Sequence, residues 1–252
     1  MQTLALLIEY DGTNYCGWQK QKNAQTVQQN TEDALSAIIG YETAVVGAGR
    51  TDTGVHARGQ AAHAVLHKQC NIPGPNIIRA INSKLPPDIR ILDAAILAGK
   101  FHARFDAVAR EYSYTISKEW SVFNRLYSYC PEYLFDEGRL MEAASVFRGT
   151  HDFSTFSKNN PDTKNYICNV KICRWTKGEG FIRLRIKADR FVYGMVRSLT
   201  GAMLDIARGK RSPGEVAQAL DAADRRLISP MAPPQGLVLE KIYYPKNHKI
   251  FS

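Results

Sequence analysis

The feature that most constrains the fold is an order of secondary-structure elements that occurs twice. In the first half, alternating apolar residues at 3–10 predict a strand, and TVQQNTEDALSAII predicts a helix with Thr26 and Gln29 at capping-box spacing. The remaining elements predicted there are strands at 43–48, 58–66 and 89–98 and a helix at 73–86. The order is β-α-β-β-α-β, which is typical of a split βαβ unit.

The second half has a similar order. Its predicted elements are strands at 109–118, 166–175, 181–187 and 236–244 and helices at 139–149, 191–209 and 213–224. Gly149 is expected to end the first of these helices, and the second is predicted from a long apolar stripe. The two middle strands are expected to form a hairpin around residues 177–180.

These patterns predict an α+β protein made of two split-βαβ halves, each an antiparallel sheet with helices on one side. The halves would join near residues 98–108, so we expect domains of residues 1–103 and 104–252. A cleft between two such halves is a natural place for a binding site.

The composition excludes several classes of protein. Hydrophobic residues make up 44% of the 252 residues, as in globular proteins, and no run of about eighteen apolar residues is present to span a membrane. The segment MQTLALLIEYDG alternates as a strand and lacks the basic start and cleavage site of a signal peptide. Five scattered cysteines without a C-x-x-C pair indicate reduced thiols and a cytoplasmic protein. His63 and His67 lack the partners of a metal site.

The net charge gives a first indication of function. The formal charge is +9, which fits either a polyanionic partner, of which nucleic acid is the commonest, or a merely soluble basic surface. The chain has no G-x-G-x-x-G after a strand and no G-x-x-x-x-G-K-[ST], H-E-x-x-H or G-x-S-x-G. Dinucleotide-dependent redox chemistry, nucleotide hydrolysis and serine-type acyl transfer are therefore disfavoured.

The segment GAGRTDTGVHARGQ, residues 47–60, places the carboxylate of Asp52 in a glycine-rich turn. Gly54 would let another group approach closely, and Arg50 and Arg58 would favour the ionised carboxylate and help to bind an anionic ligand. A carboxylate held beside arginine suits a nucleophile or a base. The alternative is an Asx-turn, in which the aspartate side chain bonds its own backbone and has no chemical role.

The second half supplies cations and aromatic rings. In FIRLRIKADR, three cations point away from the apolar face and either follow a phosphate backbone or form a solvated face: Arg183, Arg185 and Lys187. Arg197 lies off the apolar stripe of its helix, where small neighbours would leave room for a ligand. Tyr112 and Tyr114 share one face of a strand, and these tyrosines and Trp18 either stack on an exposed base or belong to the core.

Five segments resemble the tRNA pseudouridine synthase A family. In chain order they are YDGTNYCGWQ, GRTDTGVHARGQ, FHARFDAVAREYSY, FVYGMVRSLTG and PPQGLVLEKIYYP, and together they extend over nearly the whole chain. The resemblance implies two ferredoxin-like halves that join their sheets around a central basic cleft, and a homodimer. It also implies an isomerase that converts uridine to pseudouridine in the anticodon stem-loop of tRNA, at tRNA positions 38–40.

The resemblance assigns roles to individual residues. It makes Asp52 the catalytic aspartate and Arg197 the active-site arginine that would pair with it. Tyr112 corresponds to the tyrosine that stacks on the target base, and Arg50 to an arginine that helps to displace the uridine from its stack. Leu237 corresponds to part of the apolar wall of the pocket.

The reaction implied by the resemblance needs no cofactor, because no atoms or electrons are exchanged with a second molecule. Asp52 would attack C1′ of the ribose, attack C6 of the base or remove a sugar proton, and the sequence leaves these routes open. The alternatives are a non-catalytic RNA-binding protein of the same fold and a glycosidase, which would need a second acid. The sequence departs from the family pattern at Thr31, Thr53, Lys164 and Val238, and we expect the last two to influence which RNA positions are accepted.

Overall fold

Strands and helices follow one another along the chain, and this computed structural model describes them over residues 2–70, 72–158, 160–161, 163–222, 229–245 and 250–251. The predicted α+β class is confirmed. The chain divides into unit 1, Met1–Val108 with Val238–Ser252, and unit 2, Ala109–Leu237. Within the described ranges, no helix is both long and apolar enough to cross a membrane.

The elements occur in an order close to the predicted one. In unit 1 the chain forms β1 (Gln2–Tyr10), α1 (Val27–Ile39), β2 (Val46–Gly47), β3 (His56–Leu66), α2 (Gly74–Asn82) and β4 (Ile89–Leu97). It continues through β5 (Ala109–Ser117), α3 (Glu137–Ala143), β6 (Gly149–Asp152), β7 (Ile167–Gly178), β8 (Phe181–Ala188), α4 (Met195–Ala207) and α5 (Pro213–Ala222). The closing strand is β9 (Leu237–Tyr243), which belongs to unit 1 from Val238 onward.

In unit 1, strands β4, β1 and β3 lie side by side in that order and are antiparallel. The other edge of β3 pairs with β2 near the end of β3 and with β9 near its start. β9 runs parallel to β3, with His56 opposite Val238 and Ala57 opposite Leu239, so the prediction of a wholly antiparallel sheet is wrong here. The reason is that a long connection, unlike a hairpin, does not set the direction of the returning strand.

The strand predicted at 43–48 is reduced to the two residues of β2. Val45 is buried, but its backbone N–H donates to the carboxylate of Glu32 on α1 at 3.0 Å instead of to a neighbouring strand. The start of α1 is as predicted, since the hydroxyl of Thr26 accepts a hydrogen bond from the N–H of Gln29.

In unit 2, the strands lie in the order β5, β8, β7, β6 and are antiparallel throughout. β7 and β8 form the predicted hairpin. β8 alternates as predicted, with Ile182, Leu184 and Ile186 buried and the cations between them half-exposed. The predicted apolar stripe that leads into α4 is buried along its length, at Val192, Met195, Val196, Leu199, Met203 and Ile206.

The helix predicted at 139–149 has different boundaries. It begins two residues earlier, at Glu137, because the carboxylate of Asp136 accepts from the N–H of Arg139 at 3.0 Å and so caps the helix. It ends at Ala143 and is followed by a short 3₁₀ segment, Ala144–Phe147. The prediction that Gly149 ends this helix is wrong, because Gly149 is the first residue of β6, a strand that the sequence patterns did not predict.

The helix predicted at 191–209 begins only at Met195. Gly194 has a left-handed backbone conformation, with φ of 73°, which cannot continue a right-handed helix from the residues before it. The helix predicted at 213–224 is observed up to Ala222, and its last two predicted residues lie outside the described residues.

Candidate active site

Asp52 lies between β2 and β3, at the first position of a β-turn. Its backbone carbonyl accepts a hydrogen bond from the N–H of Val55 at 3.1 Å, and Gly54, the third residue of the turn, has φ of 75°. Type II turns require a positive φ at this position, which glycine adopts without steric cost. Asp52 is half-buried, whereas Thr53 at the tip is exposed. The segment is therefore a turn, as its glycines predict.

Residues 10–18, which we call the clamp, hold the backbone on both sides of Asp52. Three hydrogen bonds join the two segments: the Tyr10 and Thr51 hydroxyls at 2.8 Å, the Trp18 N–H to the Thr51 carbonyl at 3.1 Å, and the Gly54 N–H to the Tyr15 carbonyl at 3.3 Å. Tyr10, Tyr15, Trp18 and Thr51 are all buried. The position of Asp52 is thus set by a segment more than 30 residues earlier in the chain.

The clamp approaches the Asp52 turn so closely that no side chain fits between the two backbones. A Cβ on Gly17 would collide with the carbonyl oxygen of Thr51 and would lie 3.1 Å from the carbonyl carbon of Asp52. Gly17 also has φ of 83°, a conformation that side chains with a Cβ disfavour. A Cβ on Gly12 would likewise collide with the carbonyl oxygen of Val55.

Two buried polar residues of β3 bind the segments next to the turn, Gln60 the residue Gly49 and His56 the clamp, and the sequence patterns did not identify either. The Gln60 amide donates to the carbonyl of Gly49 at 2.8 Å. The Nδ1 atom of His56 lies 3.1 Å from the N–H of Gly12 and 3.1 Å from the carboxylate of Asp11. The first contact needs a neutral ring, because Nδ1 must then accept, whereas the second is an ion pair only when the ring is protonated. The sequence could have identified these residues as polar side chains in a central strand, where both faces of the sheet are buried.

The other residues predicted in this region have different environments. Arg50 is exposed, and Arg58 has a side chain that is 61% exposed with its guanidinium 3.7 Å from the carboxylate of Glu240. Trp18 is a core residue, since only 1% of it is exposed and its indole lies against the backbone of Gly47. Of the two alternatives for Trp18, its position is that of a core residue.

In unit 2, Tyr112 and Tyr114 lie on one face of β5 and are both buried. Tyr112 packs edge-to-face against Phe191, with 5.1 Å between ring centroids. The hydroxyl of Tyr114 donates to the carbonyl of Pro233 at 2.9 Å. Burial raises the pKa of the Tyr114 phenol well above its usual value, and the positive charge of Arg197 opposes this increase.

Arg197 is half-buried on α4, and residues 229–233 hold it in place. Its Nε donates to the carbonyl of Ala232 at 2.8 Å, and its own carbonyl accepts from the N–H of Ala232 at 3.0 Å. One turn further along α4, a Cβ on Gly201 would collide with the carbonyl oxygen of Pro230. The prediction that this small neighbour leaves room for a ligand is wrong, because the protein's own backbone fills that space. Leu237, at the start of β9, is buried.

The three cations of β8 share one face of the strand, as predicted. Arg185 makes a bidentate ion pair with Glu111 on β5, with distances of 2.6 and 3.1 Å. Arg183 donates through Nε to the hydroxyl of Thr115 at 3.3 Å. At least two of the three cations on this face are therefore bonded to other side chains of the protein.

The predicted site residues fall into two sets, one in each unit. Unit 1 contains Asp52, Arg50 and Arg58, and unit 2 contains Tyr112, Arg197 and Leu237. Among the described residues, no group of three or more histidine, cysteine, aspartate or glutamate side chains is placed to hold a metal ion.

The chain is similar in sequence to tRNA pseudouridine synthases. The profile of the tRNA pseudouridine synthase family matches residues 6–106 and 143–245. The chain is 37% identical over 246 residues to tRNA pseudouridine synthase A 2 of Clostridium perfringens, which covers 97% of this chain and 100% of the relative. It is 38% identical over 252 residues to tRNA pseudouridine synthase A of Syntrophomonas wolfei, which covers 99% of this chain and 100% of the relative. It is 39% identical over 255 residues to tRNA pseudouridine synthase A 1 of Protochlamydia amoebophila, with 97% of each chain covered.

Proposed function

The chain belongs to the tRNA pseudouridine synthase A family, and on this premise we propose that it isomerises uridine to pseudouridine in the anticodon stem-loop of tRNA. The full-length similarity to relatives of that name supports the tRNA substrate. The net charge is +9, and a positive charge favours the binding of a polyanionic substrate.

The observation that carries this proposal is the construction of the Asp52 turn. The clamp bonds the residues on both sides of Asp52, and Gln60 bonds Gly49 three residues earlier, so the backbone that carries the carboxylate has a defined position. Preorganised groups of this kind are what a reaction centre needs, because small displacements of a reacting group greatly reduce the rate. A turn that served only to reverse the chain direction would not need contacts on both sides.

The chemistry consists of one bond exchange within a single nucleotide. The C1′–N1 bond breaks, the uracil turns over, and a bond forms between C1′ and C5 of the same base. The proton at C5 is lost and N1 gains one, so the composition of the nucleotide is unchanged. Asp52 acts as the nucleophile, at C1′ or at C6, or as the base that removes a sugar proton.

The uridine must leave its stack before Asp52 can reach it, at a cost of a few kcal/mol. In the proposal, Arg50 helps to displace the base, Tyr112 stacks on it, and Leu237 forms part of the apolar wall of its pocket. Arg197 pairs with Asp52 and positions its carboxylate. Since the Nε of Arg197 already donates to Ala232, the pairing would use its terminal nitrogens. Arg58 contributes to RNA binding.

The remaining parts of the proposal concern the assembly. Residues 1–103 and 104–252 form two ferredoxin-like halves around a basic cleft, and the enzyme works as a homodimer in the cytoplasm. In unit 1 the strand order is β4-β1-β3-β2, and both helices lie between strands of that unit in the sequence. This order supports the ferredoxin-like fold of the N-terminal half.

The decisive experiment replaces Asp52 with asparagine, which keeps the size of the side chain but removes its charge. The Asp52→Asn variant should lose about 10⁴-fold or more in the rate of pseudouridine formation, as when an essential nucleophile is removed. Its Kd for tRNA should stay within about twofold of wild type, since uncharged asparagine still fits the turn. Asp221→Asn, at an exposed position on α5, is the matched control and should retain full activity.

Two results would contradict the proposal. Retained isomerisation by Asp52→Asn would remove Asp52 from the chemistry. A wild-type protein that binds tRNA tightly and forms no pseudouridine in any tRNA would instead indicate a non-catalytic RNA-binding protein.

A further inference from the structure

An exposed aromatic ring and a lysine form a pair at the entrance to α4. Tyr193 is 46% exposed, and the ammonium group of Lys158 lies 4.9 Å from the centroid of its ring. This geometry is that of a cation–π contact. We call these two residues the Lys158–Tyr193 platform.

The backbone of the platform is held in place. The carbonyl of Tyr193 accepts a hydrogen bond from the N–H of Lys158 at 2.8 Å, and the hydroxyl of the buried Ser157 donates to the carbonyl of Lys158 at 2.9 Å. The next residue, Gly194, packs so that a Cβ there would lie 3.1 Å from the sulfur of Met231. The backbone that carries the ring is therefore more constrained than that of an ordinary exposed loop residue.

The platform lies close to Arg197, the arginine assigned to the reaction. Tyr193 stands directly before Gly194, the residue that caps the start of α4, and Arg197 is the third residue of that helix. Met231, which contacts Gly194, is adjacent to Ala232, which holds Arg197. A nucleotide next to the one that Arg197 serves would therefore come close to the Tyr193 ring.

The chemistry of the pair fits one kind of ligand. An exposed aromatic ring stacks on any nucleobase, and a lysine beside it supplies a positive charge to the phosphate of the same nucleotide. Within the described part of the chain, Lys158 contacts an aromatic ring and is not ion-paired, unlike Lys118 and Lys177, which both pair with Glu137. Its charge is therefore available for an anion.

We propose that the Lys158–Tyr193 platform binds a nucleotide that flanks the target uridine, with Tyr193 stacked on its base and Lys158 at its phosphate. This inference rests on the proposed function, since it assigns the flanking nucleotide to the same tRNA substrate. The platform positions the RNA and takes no part in the bond exchange. Its loss should therefore weaken binding more than it slows the chemical step.

The experiment measures the Kd for an anticodon stem-loop RNA and the single-turnover rate at saturating RNA. Tyr193→Ala should raise Kd about five- to 150-fold, the range expected for one lost aromatic–base stack, while the saturated rate changes less than about threefold. Tyr193→Phe keeps the ring and should bind within about twofold of wild type. Lys158→Ala should reduce the slope of log K against log salt by about 0.7 to 0.9, as expected for one phosphate contact.

Matched controls test whether any exposed ring or lysine would give the same effect. Phe123→Ala removes the ring of a residue that is 90% exposed, and Lys171→Ala removes an exposed lysine on β7. Both should leave Kd and the salt slope unchanged. If Tyr193→Ala does not fold, the salt slope of Lys158→Ala decides the question.

Single abasic sites in the RNA identify the nucleotide concerned. At one position next to the target uridine, removal of the base should raise the Kd of wild type but not that of Tyr193→Ala. The proposal would be overturned if Tyr193→Ala bound the RNA with the Kd of wild type, or if Tyr193→Phe raised Kd as much as Tyr193→Ala does. It would also be overturned if Tyr193→Ala lowered the saturated rate without a change in Kd. Failure of the proposed function is distinguishable, because wild type itself would then form no pseudouridine.

Discussion

Substitution of Gly17 by alanine tests whether the clamp positions Asp52. The added methyl group meets two penalties in the structure. The first is the left-handed backbone conformation of Gly17, with φ of 83°, which costs a residue with a Cβ about 1–2 kcal/mol. The second is the collision with the carbonyl oxygen of Thr51, which must move and weaken its hydrogen bond from the Trp18 N–H, at about 0.5–1.5 kcal/mol. We expect Gly17→Ala to lower the free energy of unfolding by about 2–4 kcal/mol, the sum of these terms with some additional strain.

Gly40→Ala is the matched control, because Gly40 has almost the same backbone conformation, with φ of 81°, and no atom lies within 4 Å of the position that a Cβ would occupy. This variant should therefore show only the backbone penalty of about 1–2 kcal/mol. Both positions belong to unit 1, so the same unfolding transition in urea reports on each of them.

The two variants should also differ in activity. The displaced Thr51 carbonyl lies next to Asp52, and a shift of about 1 Å in a reacting group reduces a rate by up to about 100-fold. We expect Gly17→Ala to lose about 10- to 100-fold in kcat, whereas Gly40→Ala stays within about twofold of wild type. Equal destabilisation and equal activity of the two variants would refute the argument that backbone contact with the clamp sets the position of Asp52.

Two further predictions concern groups outside the reaction. Cys16 is exposed, whereas burial raises the pKa of Cys168 and Cys173 to about 12. Iodoacetamide at about pH 8 should therefore alkylate Cys16 in the native protein and the buried pair only after unfolding; peptide mass spectrometry that finds native Cys173 modified would contradict this. Burial lowers the pKa of His63, and His102 lowers it further, from a usual value of 6.5. Protonation then favours the unfolded chain, so the free energy of unfolding should fall as the pH decreases from about 7 to 5, and an equally steep decrease in His63→Gln would be evidence against this assignment.

Sequence patterns predicted the elements in which buried residues recur at short intervals along the chain. Each of β8 and α4 turns one face toward the core. Buried apolar residues therefore recur every two positions in β8 and every three to four positions in α4. The turn at Asp52 was predictable for a similar local reason, because its glycines permit a backbone that other residues disfavour.

The parts that were missed depend on residues distant in sequence. The hydrogen bond between Tyr10 and Thr51 joins residues 41 apart, and the bidentate pair of Glu111 and Arg185 joins residues 74 apart. The pairing of β9 with β3 has a direction that no local pattern contains. In the candidate site, the sequence predicts which side chains take part in the chemistry, and this stays a prediction, whereas only the fold shows that Gly17 packs against the Asp52 turn.

The place of β9 in unit 1 has a consequence for how the protein is made. Unit 1 contains Met1–Val108 and Val238–Ser252, so the whole of unit 2 is translated between its two parts. When Val108 leaves the ribosome, the partners of Val108, Arg58 and Ala103 have not yet been synthesised, because they are Tyr243, Glu240 and Tyr244. Unit 1 is therefore completed only after unit 2 has been translated, when β9 becomes available to pair with the edge of β3.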